Sequence, residues 1–227
     1  MTSIYQQQLG KEFDRLHPKI QQRFGFCSSD KIASIGSGVM DEITFGRLYT
    51  VPFLYIGTWR NIMFPQRGKN IPFTIENYSY QDQFGRETVT WIRKYQFPNK
   101  QRRFDATMIL SKQRQCIIDY LGTHQHLAVD IHLSVSPQGG MQLRAAEQRF
   151  YEGPIAFKFP MLFSGYANVH EWFDDDTGKY RISVEVVNKT WGKLFGYNGS
   201  FDVEYVNIAS KKDIPKDVFP VREELRE

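Results

Sequence analysis

The sequence predicts an α+β, mainly β protein: one large curved antiparallel sheet or half-open barrel with helices gathered at the N-terminus. Three observations carry that prediction. From Ile71 onward the hydrophobic pattern has period two and keeps it through successive segments. The connections are mostly short and rich in turn residues, which implies antiparallel neighbours in a meander. No second run of helices is available to cover a flat face, and a large uncovered antiparallel sheet curls or closes.

The chain opens helically. Ile4, Leu9, Phe13 and Leu16 recur at helical spacing, Thr2 or Ser3 can cap the start, and Pro18 breaks the run. Pro18 suits the first turn of a second short helix carrying Ile20 and Phe24 before Gly25. The segment IGSGVMDEITFG lacks the third glycine and the Lys-Ser/Thr pair of a phosphate loop. It reads as a turn around Gly36 and Gly38 feeding a short strand, Val39–Thr44. Arg47–Met63 fits either period, and its length and Pro52 favour a helix.

Nine strands follow: Phe73–Tyr80, Glu87–Phe97, Phe104–Leu110, Cys116–Leu121, Thr123–Val135, Met141–Tyr151, Tyr166–Phe173, Tyr180–Val187 and Gly199–Val206. DQFG, PNKQ, SKQR, SPQGG, DDDTGK and NKTWGK supply turn chemistry between them. EGPIAFKFPMLFSG, with Pro154 and Pro160, reads as a loop with a helical turn crossing the sheet. No repeat or low-complexity linker interrupts the chain. The expected organisation is a single domain over residues 1–210 and a charged, loosely docked C-terminal tail over 211–227.

Composition narrows the class. An apolar content of 41% in 227 residues is ample for a sizeable core. No run approaches the roughly 18 apolar residues of a membrane span, and the N-terminus lacks a secretory h-region, so the expectation is a cytoplasmic protein with reduced Cys27 and Cys116. The charge of +4 is a mild excess whose one dense patch, Lys100, Arg102 and Arg103, reads as a solvated hairpin tip. No nucleic-acid motif accompanies it.

Two patterns nominate site residues. In Glu87–Phe97 one face carries Glu87, Trp91, Arg93 and Tyr95; Met141–Tyr151 carries Glu147 and Arg149 among apolar neighbours; Glu171 shares a face with Ala167, Val169 and Phe173. Charges on inward faces must pair or line a cavity. Buried or rim ion pairs are the plainer alternative to a mostly apolar small-molecule pocket with a few convergent polar groups. The second pattern is the stripe His124, His126, Asp130, His132. His124 and His126 share a face at about 7 Å, a usable metal-ligand geometry, but Asp130 lies about 13 Å from His126 along the strand. A solvent-facing side of an amphipathic strand is preferred for the stripe, and a metal at His124 and His126 is the minority reading.

The runs IYQQQLGKEFDRLHPKIQQRF, GSGVMDEI, DYLGTHQHLAVDIHLSV and GGMQLRAAEQRFYEG, with the E-x-x-x-W-x-R-x-Y motif (Glu87, Trp91, Arg93, Tyr95) and a closing G-x-L-F-G-Y-x-G-x-F motif (Gly192 to Phe201), resemble a bacterial domain-of-unknown-function family, the one numbered 4166. The resemblance spans Ile4–Tyr205. It implies no assigned reaction. It also implies relatives joined to saccharopine-dehydrogenase-like reductases or to membrane proteins; this chain shows neither attachment, so it is expected to act alone or to meet its partner in trans. Arg93 and Glu171 belong to the resembling pattern, whereas a histidine pair does not.

Three functions follow. The first is a non-catalytic binding domain for an apolar or amphipathic, lipid-like small molecule. The second is an interaction or regulatory domain for a reductase or membrane partner, with Ile155–Phe163 as its apolar surface. The third is a metal-dependent or acid–base enzyme; no cofactor is specified.

Overall fold

Strand alternation and hairpin turns build the architecture of the computed structural model, which describes residues 2–46, 51–158, 165–190 and 192–227. Ser3 accepts a bond from the Gln6 amide and caps helix α1 (Ile4–Leu9), which tightens into a 3₁₀ turn through Arg15. Pro18 opens helix α2 (Pro18–Gly25), capped by His17. Strand β1 (Ile32–Phe45) leads to helix α3 (Val51–Thr58). Next come β2 (Gly68–Gln81), β3 (Glu87–Phe97), β4 (Lys100–Ser111), β5 (Cys116–Leu121), β6 (Leu127–Val135) and β7 (Met141–Glu152). The last strands are β8 (Ile155–Lys158), β9 (Tyr166–Asp174), β10 (Lys179–Asn188) and β11 (Gly192–Asn207).

Every pairing among the described strands is antiparallel, in the order β6-β5-β4-β3-β2-β1-β11-β10-β9-β7, and β6 pairs with β7 to complete the ring. Ten strands therefore close into an up-and-down barrel, with β8 folded onto the far end of β7. The curved, mainly β sheet with N-terminal helices expected from the sequence is present, and it closes fully. Closure removes the exposed edges that an open sheet of this size would carry.

Inward side chains and the helices form one core. Tyr5, Phe13, Leu16, Ile20 and Phe24 pack with Trp91, Met108 and Phe201. The Tyr5 ring meets Phe24 edge-on at 5.0 Å, and Phe24 lies 5.9 Å from Trp91. The helices thus plug one part of the barrel. A second part is filled by Phe64, Phe73, Tyr95, Phe97, Phe195 and Tyr197 in edge and tilted contacts.

Three expectations need correction. Strand β1 begins at Ile32, well before Val39, and Gly36 and Gly38 sit inside it. A Cβ on Gly38 would lie 2.0 Å from the Ser200 carbonyl, and one on Gly36 would lie 2.8 Å from Phe201; these glycines allow close approach and do not make a turn. Ile155–Lys158 forms a strand and not a helical turn; residues 159–164 of that segment lie outside the described residues, as do 47–50 of the expected helix. The tail is firmly fixed. Ile214 and Val218 are buried with Ala33, Tyr78, Tyr80 and Ile92 on the outside of the wall. Tyr120 and Tyr151 donate from their hydroxyls to the carbonyls of Arg226 and Glu227, at 2.8 and 2.9 Å. Among the described residues no helix is long and apolar enough to cross a membrane.

Candidate functional site

A cavity of about 450 Å³ remains inside the barrel beside the helical plug. Its wall comes from inward positions of β3 to β7 and β9 to β11, with Val129, Leu143, Val169 and Val184 among its apolar faces. Gly57, Arg60, Ile62 and Met63, following and including part of α3, border it on another side. That segment is docked by backbone bonds from Asp105 to the Asn61 carbonyl (2.8 Å) and from Thr123 to the Arg60 carbonyl (2.9 Å).

Among the described residues of the wall two charged side chains are more than nine-tenths buried: Arg93 is 4% exposed and Asp119 is 7% exposed. Arg93 Nε donates to the Phe104 carbonyl at 3.2 Å, and Nη1 donates to the Tyr197 hydroxyl at 3.3 Å. Its guanidinium centre lies 3.8 Å from the Phe104 ring centroid and 5.6 Å from that of Trp91. Asp119 projects from β5, opposite Met108 and Val129 on its neighbours. Among the described residues its Oδ1 has no hydrogen-bond partner. Burial pushes its carboxyl up to about 7, and the Arg93 charge only partly opposes that rise. Gln148 adds an amide to the wall and donates to the Gly165 carbonyl at 2.7 Å.

The nominated residues separate into groups. Trp91 and Arg93 line the cavity. Tyr95 is inside the barrel but within the aromatic cluster around Phe64. Glu171 also points inward, where burial raises its carboxyl and the Arg23 guanidinium from α2 pairs with it; Arg23 Nη1 donates to Ser34 at 2.8 Å. Glu87 stands at the start of β3 and accepts from the Ser28 amide and hydroxyl, both at 2.6 Å, so it anchors the turn before β1.

Glu147 and Arg149 do not join this interior group. Val129 faces Gln148 and Ile131 faces Ala145, so Ala146 and Glu147 together stand opposite Asp130 in a β-bulge. The extra residue reverses the alternation: Gln148 and Phe150 turn to the cavity, and Glu147 and Arg149 turn outward. There Arg149 meets Asp130 at 2.6 Å, Arg114 meets Asp130 at 2.7 Å and Glu147 at 2.9 Å, and Lys158 meets Glu147 at 2.5 Å. The Lys158 bond, with help from Arg149 and Arg114, holds the Glu147 carboxyl down at about 2.

The histidine stripe is also broken. Gln125 has φ +52°, and β6 starts only at Leu127, so the strand pattern does not extend to His124. The rings of His124 and His126 stack at 5.6 Å. His126 Nδ1 faces the Tyr151 carbonyl at 3.0 Å and the Glu152 carboxylate at 2.8 Å, beside the cavity. Asp130 is buried in its arginine pairs, and His132 is exposed. Among the described residues no three or more His, Cys, Asp or Glu side chains converge to hold a metal ion.

Sequence reasoning missed Asp119. It shares a face of β5 with Ile117 and Leu121, but Cys116, Ile118 and Tyr120 make the opposite face equally buried, so alternation did not single it out.

A family model described as "Domain of unknown function (DUF4166)" matches residues 16–201. The chain is 31% identical over 204 residues to the uncharacterized protein YndH of Bacillus subtilis (strain 168), an alignment covering 90% of this chain and 98% of that one. Among solved structures, a trans-AT PKS dehydratase domain from Brevibacillus brevis aligns over 78% of this chain and 77% of that one. The match is at 10% identity and a TM-score of 0.20, too low to support an argument from one to the other.

Proposed function

The chain belongs to this domain-of-unknown-function family, and we propose that its barrel binds a small apolar or amphipathic molecule without transforming it. The observation that carries the reading is the cavity of about 450 Å³, mostly apolar, with a few polar side chains on its wall. Its size and makeup are those of sites for single small molecules. A barrel whose interior served stability alone gains by filling such a space, because an unfilled volume forfeits packing contacts.

Native mass spectrometry of freshly purified full-length chain, compared with its denatured mass, tests this. The expected result is a retained adduct of a few hundred daltons, or uptake of an added apolar probe at one equivalent. Substituting Leu143→Trp fills the cavity from β7 and is expected to abolish that uptake. Uptake unaffected by this substitution would count against the cavity as the binding site.

A second reading rests on a different surface. Ile155 and Phe157, on the short strand β8, are 55% and 46% exposed, and Phe157 stacks on Phe150 at 5.2 Å. Large apolar side chains exposed side by side mark contact surfaces for partners. This supports an interaction role, and Phe157→Asp is the substitution expected to remove it without affecting probe uptake.

A further inference from the structure

We infer that the cavity's ligand carries an anionic oxygen-acid head, a carboxylate on a single apolar chain, and that Arg93 receives this head. The inference rests on the binding role proposed above and specifies the ligand's chemistry.

The argument begins with how this protein treats buried guanidinium groups. Arg23, 1% exposed, is paired with Glu171. Arg149, 7% exposed, is paired with Asp130 and reaches Glu147 at 3.2 Å. Both obey the rule that a cation withdrawn from water is matched by a carboxylate. Arg93 is as deeply buried, yet among the described residues no carboxylate oxygen lies within ion-pair distance of it. Its two bonds go to neutral oxygens, those of Phe104 and Tyr197. Nη2 has no protein partner among the described residues. The group that departs from the pattern is the one that lines the cavity.

The guanidinium is also held in place. The Phe104 ring under it and the two fixed bonds on Nε and Nη1 orient the planar group, so a ligand oxygen meets a positioned donor. Among the described residues Asp119 is the other charged side chain that is nine-tenths buried on this wall, and its Oδ1 is unpartnered. With its carboxyl up at about 7, it is mostly protonated at pH 6, where it can donate and gives Arg93 little counter-charge. A ligand carboxylate supplies the counter-charge that Arg93 lacks. The rest of the wall, Val129, Leu143 and Val169 among it, suits an alkyl chain. Arg60 also borders the cavity, but it is exposed and its charge remains solvated, so it has no comparable need for an anion.

The test is a titration of delipidated full-length chain at pH 6, where Asp119 is mostly protonated, with dodecanoate, dodecanol and dodecylammonium. Dodecanoate is expected to bind at least about tenfold tighter than either of the others, the scale of one charge-assisted contact. Arg93→Met is expected to bring dodecanoate to the level of dodecanol while dodecanol itself is unchanged; Arg60→Gln is expected to leave the preference intact. Dodecanol binding as tightly as dodecanoate overturns the head-group assignment and leaves the cavity reading standing. Tightest binding of dodecylammonium also overturns it, because Asp119 then receives the head. Loss of preference in Arg60→Gln moves the head to the rim and overturns the role of Arg93. No binding of any of the three overturns both readings. A measurement on the unaltered protein guards against misfolding of the Arg93 variant: the carbon-13 carboxyl signal of labelled dodecanoate, followed through acidification. Paired with Arg93, the bound head stays ionised below the pH at which free dodecanoate protonates; protonation at or above that pH overturns the pairing.

Discussion

Asp119 and Arg93 are single side chains whose surroundings decide their chemistry. Among the described residues Asp119 Oδ1 has no hydrogen-bond partner, and burial pushes its carboxyl up to about 7 from the ordinary aspartate value of 3.8. Between those values the unfolded chain releases this proton while the folded chain keeps it. The unfolded state then binds fewer protons, so stability contributed at this site is complete below pH 3.8, falls as pH rises to about 7, and is level above that. Asp119→Asn removes the titration. It is expected to flatten this part of the pH dependence and to raise stability at pH 8 by about 1–3 kcal/mol, because a neutral amide replaces a buried charge. Urea unfolding at pH 5 and pH 8 checks it, and equal slopes in the two proteins would reject the assignment. Arg93 was legible from alternation alone, since the odd positions around it, Val89, Trp91, Tyr95 and Phe97, are apolar or aromatic. Asp119 was not. Both faces of Cys116–Leu121 are apolar: Ile117 and Leu121 face the core, Cys116, Ile118 and Tyr120 face a second cluster under the tail. A strand buried on both sides does not reveal which side is the cavity.

At the scale of elements, local register outweighed simple alternation. The β6–β7 bulge turned Glu147 and Arg149 out of the barrel, and the left-handed Gln125 ended the histidine stripe before Leu127. One inserted residue and one positive φ each reverse which side chains share a face, and neither leaves a mark in a polar or apolar count. Strand β1 shows the opposite case, where the glycines carried a packing message. Gly38 lets β1 approach β11 so closely that a Cβ would stand 2.5 Å from the Phe201 Cα and 2.0 Å from the Ser200 carbonyl. Since backbone is what it meets, the strands must separate. Gly38→Ala is expected to cost about 3 kcal/mol, the upper part of the range for overpacking. The check is a urea midpoint shift with an unchanged slope.

For the whole molecule, the C-terminal tail proves to be part of the wall. Ile214, Val218 and Phe219 cover Tyr78, Tyr80 and Ile92, with Phe219 meeting Tyr80 edge-on at 5.0 Å. Further on, Arg86 donates to the Glu224 carbonyl at 2.8 Å, and the Glu224 amide donates to Gln125 at 2.6 Å. Truncation after Ser210 exposes that apolar surface and orphans Gln125, itself 2% exposed. A loss of several kcal/mol is expected, from two fully buried aliphatic side chains at about 1.5–3 kcal/mol each with additional lost bonds. Thermal unfolding with exposure of dye-binding apolar surface measures it. A truncated chain as stable as the full one would mean the tail is only adsorbed. Its charged, proline-broken sequence concealed this role, since three apolar residues among many charges suffice when the surface they cover is already built.

The sequence by itself determined the mainly β class, the antiparallel meander, most strand positions, the N-terminal helices and the inward placement of Trp91, Arg93 and Glu171. These follow from period-two alternation and turn chemistry, which act within a few residues of chain. Only the tertiary structure decided that the sheet closes through β6 and β7, that Arg23 reaches Glu171 across 148 positions, and that Arg93, on the wall of an open volume, has no carboxylate at ion-pair distance among the described residues. Such outcomes depend on which distant strands become neighbours and on where the plug of helices stops. Both are set by the packing of the whole barrel, because a cavity is defined by the side chains that fail to reach one another.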